Sequence, residues 1–229
     1  MLHWLPDYDE LNADVKSAIA RSSYKTVYNK NSVIYLQEDS ADKFYIVLSG
    51  YVRLSYIMED GTAILYAIVP PGESFGELGV FDRSFYTDTA STIGTVSVLV
   101  VNADIFHTAD SCGREIRAAL SDLIASRYKT YIDVTKSLYL TSLSARLALS
   151  LLRLTMSLGH TMEYKGRVVP FLGTMVTQSD LGAMARGTRG NVNRVLKTWE
   201  REGLIVAQDR KIIILDPEGL ETQTMNGGW

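Results

Sequence analysis

The chain has 229 residues, 46% hydrophobic and 21% charged, with a net charge of −3 at pH 7. That is ordinary globular composition, long enough for one large domain or two small ones with sizeable cores. A single cysteine, Cys112, and three scattered histidines, His3, His107 and His160, exclude an intramolecular disulfide framework, a cysteine zinc knuckle and a cysteine-ligated iron–sulfur cluster within one subunit.

The chain begins "MLHWLPDYDELN", without the basic start and apolar core of a signal peptide, and no apolar run reaches the roughly 18 residues of a membrane helix, so a cytoplasmic protein is expected. Leu11, Val15, Ala18 and Ile19 fall at helical spacing and predict a short helix over 9–22. From about 24 to 107 the texture changes. "SVIYL", "KFYIVLSGYVRLSYIM", "TAILYAIV" and "TVSVLVVNADIF" are runs rich in Val, Ile and Tyr. Turn signals at Gly50, Asp60-Gly61 and Pro70-Pro71-Gly72 separate them, which predicts an antiparallel sandwich or small barrel. Within "PGESFGELGVFDRSFYTDTAS", Gly76-Glu77-Leu78 is expected to open one helical turn whose backbone N–H groups can hold an anion.

Beyond about 113 the pattern turns helical and long. Ile116, Leu120, Leu123, Tyr131, Val134 and Leu138 follow 3–4 spacing, with a skipped slot at Arg127, and no Gly or Pro interrupts 114–158. An apolar stripe on so long a helix predicts a coiled-coil-like dimer seam. Thr141 or Ser142 is expected to break and recap the helix, and the second helix ends at Gly159. "RVVPFLGTMV" reads as a short strand pair. From residue 140 onward eleven Lys and Arg stand against eight Asp and Glu, so this part carries +3 and the rest −6, an asymmetry that suggests two units with different partners.

The basic part contains "TQSDLGAMARGTRGNVNRVLKTWEREGLI", residues 177–205. Thr177 and Asp180 form a capping-box pattern for a helix from Gln178, with Leu181 and Met184 inward and Gly187 as its stop. Thr188 caps a second helix whose inward face is Val192, Val195, Leu196 and Trp199. Its other face offers Arg189, Gly190, Asn191, Asn193, Arg194 and Lys197. Two short helices joined by a glycine turn are a helix-turn-helix, in which the second helix reads bases, Arg pairing with guanine and Asn with adenine. "GLIVAQDRKIIILD" follows as strand, turn, strand and puts Arg210 and Lys211 at the tip of a wing suited to phosphate.

Together these segments resemble the cyclic-AMP receptor protein and FNR (Crp/Fnr) family of bacterial transcription regulators over nearly the whole chain. "FYIVLSGYVRLS", "DGTAILYAIVPPGESFGELGVFD" and the 177–205 stretch carry the resemblance. It implies an α+β fold: a β-roll effector domain of cyclic-nucleotide-binding type over 1–110, a dimerisation helix over 111–140 and a winged helix-turn-helix over 141–229. It also implies a homodimer on a two-fold symmetric double-stranded operator, a small-molecule effector in the β-roll and RNA polymerase as a partner. The DNA-binding positions are then Thr177, Gln178, Thr188, Arg189, Gly190, Asn191, Asn193, Arg194, Lys197, Arg210 and Lys211. The effector pocket draws on Gly76, Glu77, Leu78, Tyr86, Thr87, Asp88, Arg127 and Tyr131.

Two departures from the family pattern stand out. Cyclic-AMP-binding members follow Gly-Glu-Leu with an arginine and a serine or threonine, the arginine holding the phosphate. Here "FYTDTA" puts Tyr86, Thr87 or Asp88 there, none of them a cation, and Arg83 lies too early. A missing buried charge partner costs a ligand about 2–5 kcal/mol, so canonical cyclic AMP is disfavoured. Counting back from Arg146, which matches a family arginine, Tyr131 and Ile132 replace the threonine–serine pair that meets the base. The expected effector is therefore altered or absent. Haem on His107 is not favoured. In the recognition helix, Gly190 stands where relatives often have a cytosine-reading glutamate, which predicts a related but different operator. A metabolite-binding module with a vestigial DNA-binding domain is the competing function. An enzyme finds no support, because no nucleophile–base pair, metal-ligand spacing or carboxylate cluster stands out.

Overall fold

The computed structural model describes residues 13–82, 84–107, 111–140 and 142–225; the side chains of Val15, Leu120, Leu123, Arg127 and Leu138 lie outside the described residues, as do Leu11, Arg83 and Thr141 entirely. The chain divides into two compact units, Met1–Tyr131 and Ile132–Trp229, with the boundary inside the long helix.

In the first unit, α1 (Ala13–Arg21) precedes β1 (Ser23–Tyr28), β2 (Val33–Tyr35), β3 (Lys43–Ile57), β4 (Ala63–Val69), β5 (Ser74–Phe75), α2 (Glu77–Asp82) and β6 (Thr89–Asn102). The strands form one antiparallel sheet in the order β1-β6-β3-β4, with β2 added to β6 and β5 to β3. β-branched and aromatic residues suit this pleated, half-buried surface. Ile46, Val52, Leu54, Phe75, Val98 and Val101 form its fully buried centre. The Asp60-Gly61 hairpin is present: Gly61 has φ +80°, and the Asp60 carboxylate accepts from the Thr62 N–H at 2.8 Å. Gly50, however, ends no strand. β3 runs through it as one 15-residue strand, its register against β6 shifting between Val47 and Ser49 and again between Ser49 and Tyr51. Gly50 has φ +83°, and a Cβ there would lie 2.6 Å from the Thr95 carbonyl oxygen, so glycine lets β3 bend closely over β6.

After a 3-10 turn (Ala103–His107), α3 runs from Ser111 to Leu138. Ile116 and Val134, expected on the dimer seam, are 3% and 8% exposed within the single chain. The stripe at these two positions is therefore core rather than a free face. The helical pattern cannot tell one apolar partner from another.

The second unit holds α4 (Leu143–Leu158), β7 (Thr161–Tyr164), β8 (Arg167–Leu172), α5 (Gln178–Ala185), α6 (Arg189–Arg201), β9 (Ile205–Gln208), β10 (Lys211–Ile214) and α7 (Pro217–Met225). Its sheet order is β7-β8-β10-β9. Ser142 makes the recap, its hydroxyl accepting from the Ala145 N–H at 3.0 Å, and Gly159 closes α4 in the left-handed conformation. "RVVPFLGTMV" supplies one strand, β8, whose partners are β7 and β10, and not a strand pair. The residues after Leu172 have no β partner and pass into the Thr177 cap.

Candidate DNA interface and effector pocket

The helix-turn-helix is built by local chemistry. At Thr177 both halves of the capping box are present: its hydroxyl accepts from the Asp180 N–H at 3.1 Å, and the Asp180 carboxylate accepts from the Thr177 N–H at 2.8 Å. The first helix does not stop at Gly187. Arg186 takes the left-handed position, with φ +51°. Gly187 serves a different end, since a Cβ on it would lie 2.6 Å from the Leu143 side chain. Likewise a Cβ on Gly182 would lie 2.5 Å from the Gly187 carbonyl oxygen. These two glycines let the turn fold tightly against α5 and α4.

Thr188 caps α6, its hydroxyl accepting from the Asn191 N–H at 3.3 Å. Val192, Leu196 and Trp199 are buried at 2% exposure or less, and Val195 is half-buried beside them. On the opposite side Arg189, Gly190, Asn191, Arg194 and Lys197 are exposed. A Cβ on Gly190 meets nothing within 4 Å, so the bare position is not a packing requirement. Asn193 is half-buried, and its Oδ1 accepts from Gln178 Nε2 at 3.3 Å. Thr177, Gln178, Arg189, Arg210 and Lys211 line one cleft of about 580 Å³ between the start of α5, α6 and the wing. Thr174 and Ser179 also line it, and nothing in one-dimensional spacing marks either. At the wing tip, Asp209 and Arg210 both have positive φ, +51° and +59°. That is the primed hairpin turn, here without glycine.

The pocket near α2 has a different character. Gly76, Glu77, Leu78, Tyr86, Thr87, Asp88 and Tyr131 do come together, but around a cavity of only about 10 Å³. That is room for about one water, whereas small-molecule sites occupy about 300–1,000 Å³. Tyrosines take the space. Tyr86 stacks on Tyr35 with ring centres 3.7 Å apart, and its hydroxyl donates to the Lys43 carbonyl at 2.6 Å. A Cβ on Gly76 would lie 3.2 Å from both the Tyr35 and Tyr86 rings. The space over this glycine, expected to favour an anion, is filled by aromatic rings.

Asp88 is 5% exposed and Glu77 2%. The Asp88 carboxylate accepts from Tyr35 at 2.7 Å and, through its other oxygen, from Tyr66. Tyr131 of α3 donates to the Tyr66 hydroxyl at 2.9 Å. Burial, and then the Asp88 charge, raise the Tyr35 hydroxyl pKa well above its ordinary value. Burial also raises Tyr86, to about 12. Tyr35 and Tyr66 look in the sequence like any strand tyrosines, and only the register of three strands brings them to Asp88. Among the described residues no Lys or Arg lines the cavity, and a phosphate there would meet Asp88. The described residues of this cavity offer a cyclic nucleotide neither a cation for its phosphate nor room for its base. His107, weighed for haem, is half-buried with Nε2 3.2 Å from the Val80 carbonyl oxygen.

Residues 25–109 match a cyclic nucleotide-binding domain model, and residues 145–223 match a Crp-like helix-turn-helix domain model. The transcriptional regulator SdrP of Thermus thermophilus is 31% identical over 183 residues, covering 79% of this chain and 83% of that protein. A CRP-like cAMP-activated global transcriptional regulator of Mycobacterium tuberculosis is 26% identical over 204 residues, 89% of each chain. The crystal structure of a CRP/FNR-family transcriptional regulator from Thermus thermophilus aligns at TM-score 0.67 with 27% identity, covering 90% of this chain and all of that one. FixK2 from Bradyrhizobium japonicum aligns at 0.74 with 22% identity, covering 88% and 96%, and shares the fold.

Proposed function

The chain belongs to the Crp/Fnr family of DNA-binding transcription regulators, and from that premise we propose that it binds a two-fold symmetric operator as a homodimer without the help of cyclic AMP. The carrying observation for the DNA half is the exposed face of α6, which offers Arg189, Asn191, Arg194 and Lys197 beside the cationic wing. Arg189, Asn193 and Arg194 read bases in the major groove, while Lys197, Arg210 and Lys211 hold phosphates. RNA polymerase is the partner through which the bound dimer acts, in the cytoplasm and without catalysis of its own. No helix among the described residues is long and apolar enough to cross a membrane.

For the effector half, the supporting observation is the Asp88 carboxylate, buried under two tyrosine hydroxyls in a cavity of about 10 Å³. Any small molecule that acts there has to displace Tyr86 and Tyr131. Fluorescence anisotropy on an operator fragment tests both halves. The full chain sediments at twice 25.5 kDa and binds the fragment with the same affinity with and without millimolar cyclic AMP. A tenfold gain on adding cyclic AMP overturns the effector reading. Failure to prefer any promoter fragment over random DNA overturns the regulator reading. Arg194→Ala costs about 1–3 kcal/mol and relaxes one base position; a uniform loss across sequences reassigns Arg194 to phosphate.

A further inference from the structure

The hydrogen bond between Gln178 and Asn193 joins the first helix of the motif to the base-reading face of the second. Gln178 is the first residue of α5, and Asn193 is half-buried on α6. Gln178 Nε2 donates to Asn193 Oδ1 at 3.3 Å. The neighbours of Asn193 on the outward face, Asn191, Arg194 and Lys197, are exposed, so their side chains can follow whatever the groove presents.

We propose that Gln178 is a positioning residue for specificity, holding the Asn193 amide so that the two read one base pair as a unit. An asparagine recognises adenine by donating to N7 and accepting from the N6 amino group, which requires the amide plane to be set in one of two opposite ways. A free side-chain amide can turn over and then offers its atoms in reverse. A donor from Gln178 on Oδ1 selects one of the two settings. It leaves Nδ2 to donate into the groove, and it leaves Oδ1 its second lone pair. The selected setting favours adenine. It also lowers the ordering cost on binding, since the amide is already oriented. This rests on the reading of α6 as the recognition helix, and it adds a residue from the other helix.

The chemistry predicts how each substitution changes base choice. Gln178→Ala releases the Asn193 amide, and the preference for adenine at that one position falls at least about fivefold while flanking positions keep theirs. Gln178→Glu has no donor. Its carboxylate accepts from Nδ2 instead, turns Oδ1 outward and shifts the preference toward cytosine, whose N4 amino group donates. Asn193→Ala relaxes the same position, and adding Gln178→Ala to it changes nothing further.

The experiment is selection of binding sites from a randomised duplex library by the full-length wild type and these four variants, with thermal melts showing that each is folded. A cluster of changes at one base position, with the shift to cytosine in Gln178→Glu, supports the proposal. A uniform loss of affinity in Gln178→Ala makes Gln178 a phosphate contact and overturns it, as do changes at two different positions in the two single alanine variants. A wild type that selects no consensus overturns the recognition-helix reading as well. A wild-type consensus that Gln178→Ala leaves unchanged overturns this proposal alone.

Discussion

Two residues in the DNA-binding unit stand where glycine and a longer side chain would each be expected, and both make direct predictions. Arg210 has φ +59° at the wing tip. A residue with a Cβ pays about 1 kcal/mol for that conformation, and glycine does not. Arg210→Gly therefore raises stability by about 1 kcal/mol in urea melts. It also weakens operator binding and lowers the slope of log affinity against log salt by about 1. Opposite signs in the two measurements identify a strained residue kept for its charge. Gly190 has the converse situation, a first-turn helix position with open space where its Cβ would be. Gly190→Glu fits without rearrangement and adds an acceptor to the groove face. Site selection should then show a new preference for cytosine worth about 1–3 kcal/mol. The exposed residues of α6, Arg189, Gly190, Asn191, Arg194 and Lys197, could be named from spacing alone, because caps and inward apolar positions fix the phase of a short helix. What spacing could not show is why Gly187 is glycine. Its neighbour Leu143 is distant along the chain, and the left-handed turn falls on Arg186 instead.

Among the secondary elements, α4 and α5 are tied by one side chain. Arg146 of α4 donates through Nε to the Ala185 carbonyl at 2.7 Å and through Nη1 to the Leu140 carbonyl at 2.7 Å. Burial, then the nearby Arg186 charge, lower its pKa, but a guanidinium stays protonated and keeps both bonds. Arg146→Lys keeps the charge and loses the fork, so one carbonyl goes unmatched. The expected cost is about 1–3 kcal/mol in a chemical melt of the second unit, followed through Trp199 fluorescence. Strand pairing shows the limit of pattern reading at this level. β3 looked like two strands because Gly50 signals a turn, yet its missing side chain serves a close pass by the Thr95 carbonyl. The long helix was readable as a helix, but Ile116 and Val134 turned out to be covered by their own chain. Hydrophobic spacing reports which face is buried and is silent on what buries it.

Taken whole, the molecule should be sensitive to alkali, because its first unit buries tyrosine hydroxyls. Burial raises the pKa of Tyr86 from 10.0 to about 12, and Tyr35 moves in the same direction. Below pH 10 both folded and unfolded chains hold these protons, and the contribution is fully present. Between about pH 10 and 12 the unfolded chain ionises while the folded one resists, so stability falls as pH rises. Melting temperatures measured from pH 8 to 11.5 should drop above pH 10, and Tyr86→Phe should flatten the drop. A slope unchanged by that substitution would assign the effect to other groups. The two-part organisation was visible in the sequence through charge and periodicity. The closure of the pocket was only half visible: the lost arginine could be seen, but Tyr35 and Tyr66 reach Asp88 from separate strands.

The tyrosines around Asp88 also bear on time. A regulator that waits for a ligand can change state as fast as the ligand arrives and leaves, many times within the life of one protein molecule. One whose chamber is filled by its own side chains has no such fast input through that chamber. Its occupancy of the operator then follows its copy number, which changes only as quickly as the cell makes, degrades or dilutes the protein. Tyr131, the last residue of the first unit, hydrogen-bonds Tyr66 from the helix that leads toward the DNA-binding half. On the proposed reading, in which no cyclic nucleotide enters that chamber, such a protein would suit slow, sustained programmes of expression rather than rapid alternation.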